Sequence, residues 1–454
     1  MTQALFIILV AIEIGFAVFQ FIVFSSKNEW TFRRLMVNVG ELVVYLIMAF
    51  LPGIDTGFRF FALYILLGLR VVVAGIFAFI YRKNEKFKSK AAIFLSALLS
   101  VILIAVNLIP AFLFADYSGR PLTGEYSVGQ KKSIIVDHSR KETFENDGSD
   151  REVPLYFYYP ENVSADNELP LVVFSHGAFG YYQSNTSSYM ELASHGYVVV
   201  SLDHPYHSLF TTDSDGKMVV VDSDFYSSAN SIGNDDGTNY TEEQIYEITS
   251  KWMELRIADV EFVLDTLEAA SEGVYGDAWC FEDDSEADIA SVVNLIDVDK
   301  IGLFGHSLGG ATSVTVGRRD DVKAVIDLDG TMLGEETGVE NGIPTVNEDP
   351  YTTPLLCIDK EEHHNELDTD GYVNKVILDN AEVAYETGLI GAEHMDLTDL
   401  PLFSPALAGG FGSGDIDHEK CIDTVNGLIL SFFDCYLKGE GTFTVPDTID
   451  VRGN

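Results

Sequence analysis

Ser307 is the residue around which a reaction can be built. The run Ile301-Gly302-Leu303-Phe304-Gly305-His306-Ser307-Leu308-Gly309-Gly310 is an apolar stretch that ends in Gly-x-Ser-x-Gly and leads into a helical pattern. A strand that turns this abruptly into a helix forces its central serine into a strained backbone angle, so both residues two positions away must be glycine. The strain lifts the hydroxyl clear of the sheet and sets it at a helix N-terminus, where the Leu308 amide and the helix dipole can stabilise a negative oxygen. A second amide is needed to complete such an oxyanion hole. Leu171-Val172-Val173-Phe174-Ser175-His176-Gly177-Ala178-Phe179-Gly180 is a strand ending in His-Gly and small residues, and the N–H of Ala178 or Phe179 can supply it. A general base follows in chain order at His394, within Gly391-Ala392-Glu393-His394-Met395-Asp396. His176 precedes the serine and is read as structural, because this architecture takes its base from near the C-terminus. The acid that orients His394 is either Asp329 or Asp359, each at the end of a strand after Ser307. Asp327 lies two residues deeper in its strand, about 6.5 Å further from the rim, and is a poorer candidate. Spacing does not separate Asp329 from Asp359.

The remaining candidates for chemistry are weaker. His363 and His364 lack the spacing of a metal motif and read as a solvated loop at the pocket rim. Asp213 and Asp215 lack the third acidic ligand and the distal Glu of a calcium loop. The expected chemistry needs neither metal nor organic cofactor. Of the four cysteines, Cys421 and Cys435 share one expected helix about 21 Å apart and cannot pair. Cys357 reads as a core residue, and no disulfide is expected.

These residues must be held by a sheet. Short apolar runs at Leu155–Tyr159, Leu171–Ser175, Tyr197–Asp203, Lys300–Gly305, Ala324–Asp329, Pro354–Ile358 and Thr387–Gly391 read as strands. Helical patterns stand between them at about 184–195, 241–269, 308–317, 373–384 and 418–438. This alternation predicts a mostly parallel sheet with helices on both faces, and the Gly-x-Ser-x-Gly turn at its strand–helix junction makes the expected form an α/β-hydrolase fold. Two segments interrupt it as surface insertions able to serve as lids: residues 205–240, with a hairpin at Asp215-Gly216, and the acidic residues 271–297. The expected catalytic domain spans 151–445, and residues 117–150 read as a polar connector.

The first 116 residues differ in kind. Apolar runs at about 4–24, 35–52, 58–81 and 90–115 each approach the 20 residues that cross a bilayer, which predicts four transmembrane helices. The first run is not read as a cleaved signal peptide, because no Lys or Arg precedes it. The loops after the first and third runs are basic, and Pro52-Gly53-Ile54-Asp55-Thr56 after the second has no basic residue. The positive-inside rule then puts the C-terminal domain on the extracytoplasmic side of the cell membrane. Glu13, Glu41 and Arg70 fall within the spans and read as ion pairs that fix helix packing. This region carries ten Lys or Arg and six Asp or Glu, so the rest of the chain holds 18 of the 28 basic and 64 of the 70 acidic residues. A domain that acidic repels nucleic acid.

Ser175-His176-Gly177, Leu192-Ala193-Ser194-His195-Gly196-Tyr197-Val198-Val199, Gly305-His306-Ser307-Leu308-Gly309-Gly310-Ala311-Thr312, Leu328-Asp329 and the His394 loop together resemble the secreted-type platelet-activating-factor acetylhydrolases. More loosely they resemble dienelactone-hydrolase-like and polyester-hydrolase-like esterases. The resemblance covers roughly residues 150–437 and none of the membrane region. It implies Asp329 as the acid, since that family takes it from a Leu-Asp pair directly after the nucleophile strand. Related polyester hydrolases carry their acid past the next strand, where this sequence has His363. The expected function is hydrolysis of short-chain acyl esters, including phospholipid acetyl esters, through an acyl-enzyme. Ser307, Asp329 and His394 are its triad, with Leu308 and Ala178 at the oxyanion. The two rival readings are an acyltransferase using the same triad and a non-catalytic binding module.

Overall fold

The computed structural model describes residues 1–453 apart from 24, 52, 55–56, 164–167, 234–237, 282–283, 368 and 370–371. The expected loop at 52–56 therefore lies largely outside the described residues, as do parts of both insertions. The chain forms two compact units, one of Met1–Ser118 with Leu402–Leu407 and one of Gly119–Pro401 with Ala408–Asn454.

In the first unit four long helices, α1 (Thr2–Ile22), α2 (Lys27–Met48), α3 (Phe58–Ile80) and α4 (Lys90–Asn107), are followed by the short α5 (Ile109–Leu113). Among the described residues three helices, α1, α3 and α4, are long and apolar enough to cross a membrane. The expected second span, α2, is not among them. The second helix starts at Lys27, where Ser26 and Glu29 form a capping box. Arg33 and Arg34, which fall in the expected basic loop after the first run, are thus helical. Leu5, Leu9, Tyr45, Phe60, Leu63, Leu67 and Ile104 form the core of the bundle. Large apolar side chains such as Ile22, Phe58 and Phe79 point outward and are mostly exposed. Beside the core lies a buried charge cluster. Arg34 reaches Glu13 at 2.6 Å and the Ser100 hydroxyl at 2.5 Å. Arg70 pairs with Glu13 and, at 3.1 Å, with Glu41. Two arginines thus face two glutamates from α1, α2 and α3, as balanced charges withdrawn from water must.

The second unit is built on a ten-stranded sheet. Its strands are β1 (Val128–Lys141), β2 (Asp150–Pro160), β3 (Leu169–Ser175), β4 (Val198–Leu202), β7 (Trp279–Cys280), β8 (Ile296–His306), β9 (Val322–Leu328), β12 (Leu355–Lys360), β13 (Ala384–Ile390) and β14 (Thr448–Asp450). Two separate hairpins supply β5 (Phe210–Thr212) with β6 (Met218–Val220) and β10 (Glu336–Glu340) with β11 (Ile343–Val346). The sheet order is β14-β13-β12-β9-β8-β3-β4-β2-β1-β7. From β4 to β14 all neighbours are parallel, and β2, β1 and β7 add an antiparallel edge.

Side chains alternate across each strand. Leu171 and Val173 of β3 enter one apolar core with Val260, Val263, Leu264 and Leu267, which belong to a long helix at Glu242–Ser271. Val172 and Phe174 enter the other, with Tyr189 and Leu192 of the helix Thr186–Ser194 and Val425, Ile429 and Phe433 of the C-terminal helix His418–Phe433. Both faces are covered, so the parallel strands read as continuous apolar runs. This is the expected α/β arrangement, with two differences. The stretch read as connector contains the whole of the 14-residue β1. The acidic segment holds β7 and the helix Glu286–Val293, capped by Ser285.

Candidate active site

Ser307 stands at a tight strand-to-helix elbow. Ser307 sits at φ 57 and ψ −125, between the end of β8 and a helix over Leu308–Val316. A side chain on Gly305 would come within 2.2 Å of Gly309, and one on Gly309 within 1.9 Å of the Ser175 carbonyl oxygen. Both glycines are therefore fixed by close backbone approach. Ser307 itself is partly exposed, while Leu308 and Gly309 beside it are buried.

Asp329 and His394 meet next to the elbow. Asp329 follows β9 in the left-handed region, φ 54, and its Oδ2 lies 2.5 Å from His394 Nδ1. Its other oxygen accepts the Lys360 amide at 2.9 Å and lies 2.8 Å from His363 Nδ1. Burial works to raise this carboxyl, but the adjacent His363 and His394 prevail and hold it well below the ordinary carboxylate range. With Nδ1 on the carboxylate, Nε2 is the nitrogen of His394 left to take a proton. The His394 side chain is 35% exposed, against 0% for Asp329. The rim loop is itself pinned. His306 Nε2 lies 2.9 Å from the His394 carbonyl, and the two rings stand 4.5 Å apart. Asp396 receives the Glu393 and Gly414 amides and the Ser413 hydroxyl at 2.9, 2.7 and 2.6 Å. Burial, followed by the neighbouring His394, pushes the His306 imidazole down to about 3, so it stays neutral.

Asp359, the other acid candidate, is buried and not bonded to His394. Burial, then the charges of Asp329 and Asp327, raise its carboxyl well above the ordinary value. His363 differs from expectation. A helix over Glu361–Glu366 starts directly after β12 and turns His363 back onto Asp329 instead of leaving it at a solvated rim. The ligand atoms of Asp329, Asp359 and His363 lie within 4.8 Å of one another, as do those of His364, Glu386 and Asp447. In the first group both Asp329 oxygens already face hydrogen-bond donors, so a cation there would compete with His394.

The loop after β3 lies against the serine. A Cβ on Gly177 would be 3.0 Å from the Ser307 Cβ and 2.9 Å from His306 Nδ1. Of the two candidate amides, Phe179 N–H is committed to the His207 carbonyl at 3.2 Å. The Ala178 and Leu308 amides take part in no hydrogen bond among the described residues. His176, read as structural, is fully buried, with its Nδ1 2.7 Å from the Gly177 carbonyl and its Nε2 2.7 Å from the Ser208 hydroxyl.

Beneath this loop is a polar cluster that sequence reasoning missed. Ser175 Oγ lies 2.9 Å from His204 Nε2, and His204 Nδ1 lies 2.9 Å from Asp259. The residue types repeat a Ser-His-Asp triad, but all three are buried and no substrate can reach them. Asp259 is held by Arg151 at 2.7 Å and Arg140 at 2.9 Å. Arg256, from the same helix as Asp259, sends Nη1 to the His176 carbonyl at 2.6 Å, Nη2 to the Gly177 carbonyl at 3.2 Å and Nε to His207 Nδ1 at 3.3 Å. Burial lowers this guanidinium to about 9, so it remains charged at neutral pH. The only sequence signal was a basic residue on the apolar face of a helix, three positions before an acid.

Comparison with known proteins agrees with this architecture. The ferulic acid esterase of Streptomyces cinnamoneus shares the fold, with a TM-score of 0.50 and 20% identity over 71% of this chain and 93% of its own. The platelet-activating factor acetylhydrolase of Cavia porcellus is 27% identical over 61% of this chain and 59% of its own length. That of Canis lupus familiaris is 26% identical over 62% and 60%. The chain thus spans about three fifths of the curated relatives it matches. The family described as platelet-activating factor acetylhydrolase, isoform II, matches residues 122–448, nearly the whole second unit. The chain belongs to that family.

Proposed function

We propose that this chain is a membrane-anchored serine hydrolase that cleaves carboxylic esters through an acyl-enzyme. Short-chain acyl esters, phospholipid acetyl esters among them, are its substrate class. Ser307 Oγ attacks the ester carbonyl while His394 Nε2 takes its proton. Asp329 holds His394 in the tautomer with Nδ1–H and stabilises the imidazolium that forms. The Leu308 and Ala178 amides receive the oxyanion. His394 then returns the proton to the leaving alkoxide, and the same steps with water release the acid. The observation that carries this reading is the 2.5 Å contact between Asp329 and His394 beside a strained serine elbow. The substrate class rests on the relatives named platelet-activating factor acetylhydrolase. The catalytic domain, 151–445, is tethered by the N-terminal helices on the extracytoplasmic side, with α2 completing four spans as a charged inner helix. The test is Ser307→Ala in the full-length protein. Hydrolysis of p-nitrophenyl acetate should vanish, and a fluorophosphonate probe should label the wild type alone. Full labelling of the variant refutes the assignment.

A further inference from the structure

We propose that Arg256 is the positioning residue of the oxyanion hole, a buried clamp that fixes the peptide whose N–H meets the reacting oxygen. This rests on the reading of Ser307 as nucleophile and extends it to a residue outside the site's rim. The argument begins with the peptide joining Gly177 to Ala178. A trans peptide is planar, so its C=O and N–H point in opposite directions. Whatever fixes the Gly177 carbonyl therefore also aims the Ala178 amide. Three groups converge on that carbonyl. Arg256 Nη2 and the Gly180 amide donate to it at 3.2 and 3.1 Å, and His176 Nδ1 lies 2.7 Å away. Arg256 and His176 are fully buried. The Ala178 N–H is thereby turned the other way, on a loop that crowds the Ser307 Cβ.

The same guanidinium controls the peptides on either side. Its Nη1 holds the His176 carbonyl at 2.6 Å. Its Nε binds His207 Nδ1 at 3.3 Å, and the His207 carbonyl accepts the Phe179 amide at 3.2 Å. Phe179 is left in the left-handed region at φ 58, a conformation a bulky residue keeps only when its surroundings impose it. One planar group with a fixed fork of donors thus spans the whole turn, which a lysine ammonium cannot do. Asp259 lies one helical turn along the same face and helps keep the buried cation charged.

The test uses the full-length protein in detergent and three variants, Arg256→Lys, Arg256→Met and Ala178→Pro, each compared per folded molecule by thermal melting. For p-nitrophenyl acetate, kcat of Arg256→Lys should fall by roughly 100-fold with KM little changed, the size expected when one oxyanion donor is lost. An aryl trifluoromethyl ketone, which adds to the serine as an oxyanion, should bind weaker by about the same factor. A residue that only stabilises the fold would lower the melting temperature and leave both quantities intact. Ala178→Pro removes the proposed donor without touching Arg256 and should reproduce the loss. The clamp is overturned if Arg256→Lys keeps kcat and ketone affinity within about twofold of wild type. It is equally overturned if Ala178→Pro turns over like wild type, which decides the matter even where Arg256→Met does not fold. A Ser307→Ala variant separates the two ideas. If it is inactive while Arg256→Lys is fast, only the clamp fails, and if it stays active both fall.

Discussion

Asp329 is where residue-level geometry makes the sharpest demand. Its carboxylate faces His394, His363 and the Lys360 amide at once. Asp329→Asn should leave the fold in place and lower turnover by about four orders of magnitude, because the histidine is then held in the wrong tautomer. Asp359→Asn should cost far less, since Asp359 makes no bond to His394. Steady-state rates of the two variants at equal folded fraction decide between them, and a near-dead Asp359→Asn beside an active Asp329→Asn would reverse the assignment. The glycines flanking Ser307 were legible in the sequence because close backbone approach excludes a side chain at both positions. The choice of acid was not legible from spacing, because both aspartates end adjacent parallel strands. Arg256 was invisible for another reason. The two carbonyls it holds lie about 80 residues earlier, and a backbone carbonyl leaves no trace in residue type.

At the scale of elements, strands with two buried faces announced themselves as apolar runs, and β3, β4, β8, β9 and β12 fall where the sequence put them. β1 escaped because Val-Gly-Gln-Lys-Lys-Ser-Ile-Ile-Val-Asp-His-Ser-Arg-Lys pairs with β2 near the sheet's edge and buries only part of its length. The turn at Asp215-Gly216 was legible from its dipeptide, and Gly216 takes φ 74 there. How the insertion fastens to the sheet was not. Asp203, just past β4, accepts the Tyr182 amide at 2.7 Å and the Thr211 hydroxyl of β5 at 2.6 Å. Burial raises its carboxyl from 3.8 to about 7, against the opposing bonds from Thr211, Tyr182 and Tyr156. Between about pH 4 and 7 the folded protein therefore keeps a proton that the unfolded chain has released. Stability contributed by this group falls as pH rises through that window and is lowest above 7. Asp203→Asn keeps an acceptor for Tyr182 and removes the titration. Its melting temperature should fall less than that of wild type between pH 4 and 7, and identical slopes would exclude this role. Asp399, raised by burial to about 6, acts with the same sign, so the slope should shrink but not vanish.

At the scale of the whole molecule, the division into an apolar N-terminal part and an acidic remainder was legible from charge and hydropathy alone. Ion pairing among Glu13, Glu41 and Arg70 was legible from their place within the spans, but the part of Arg34, read as a loop residue, was not, because helical phase decides which charges face one another. Orientation is argued from the basic loops. Protease added to intact cells should digest residues 119–401, and digestion only after lysis would place that unit in the cytoplasm.

The sheet order also sets a timetable. β3 pairs with β4 on one side and β8 on the other, and about 120 residues separate the end of β3 from the start of β8. At about 5–20 residues per second, a ribosome needs roughly 6–24 s to supply them. For that interval the emerging half-sheet carries a bare apolar edge along Leu169–Ser175, ready to pair with any passing strand. The segment that ends the exposure, Ile296–His306, is the one that delivers Ser307. Covering that edge and placing Ser307 are thus a single event, so a chain arrested before it is aggregation-prone and inert, while a chain past it still awaits β9, Asp329 and His394.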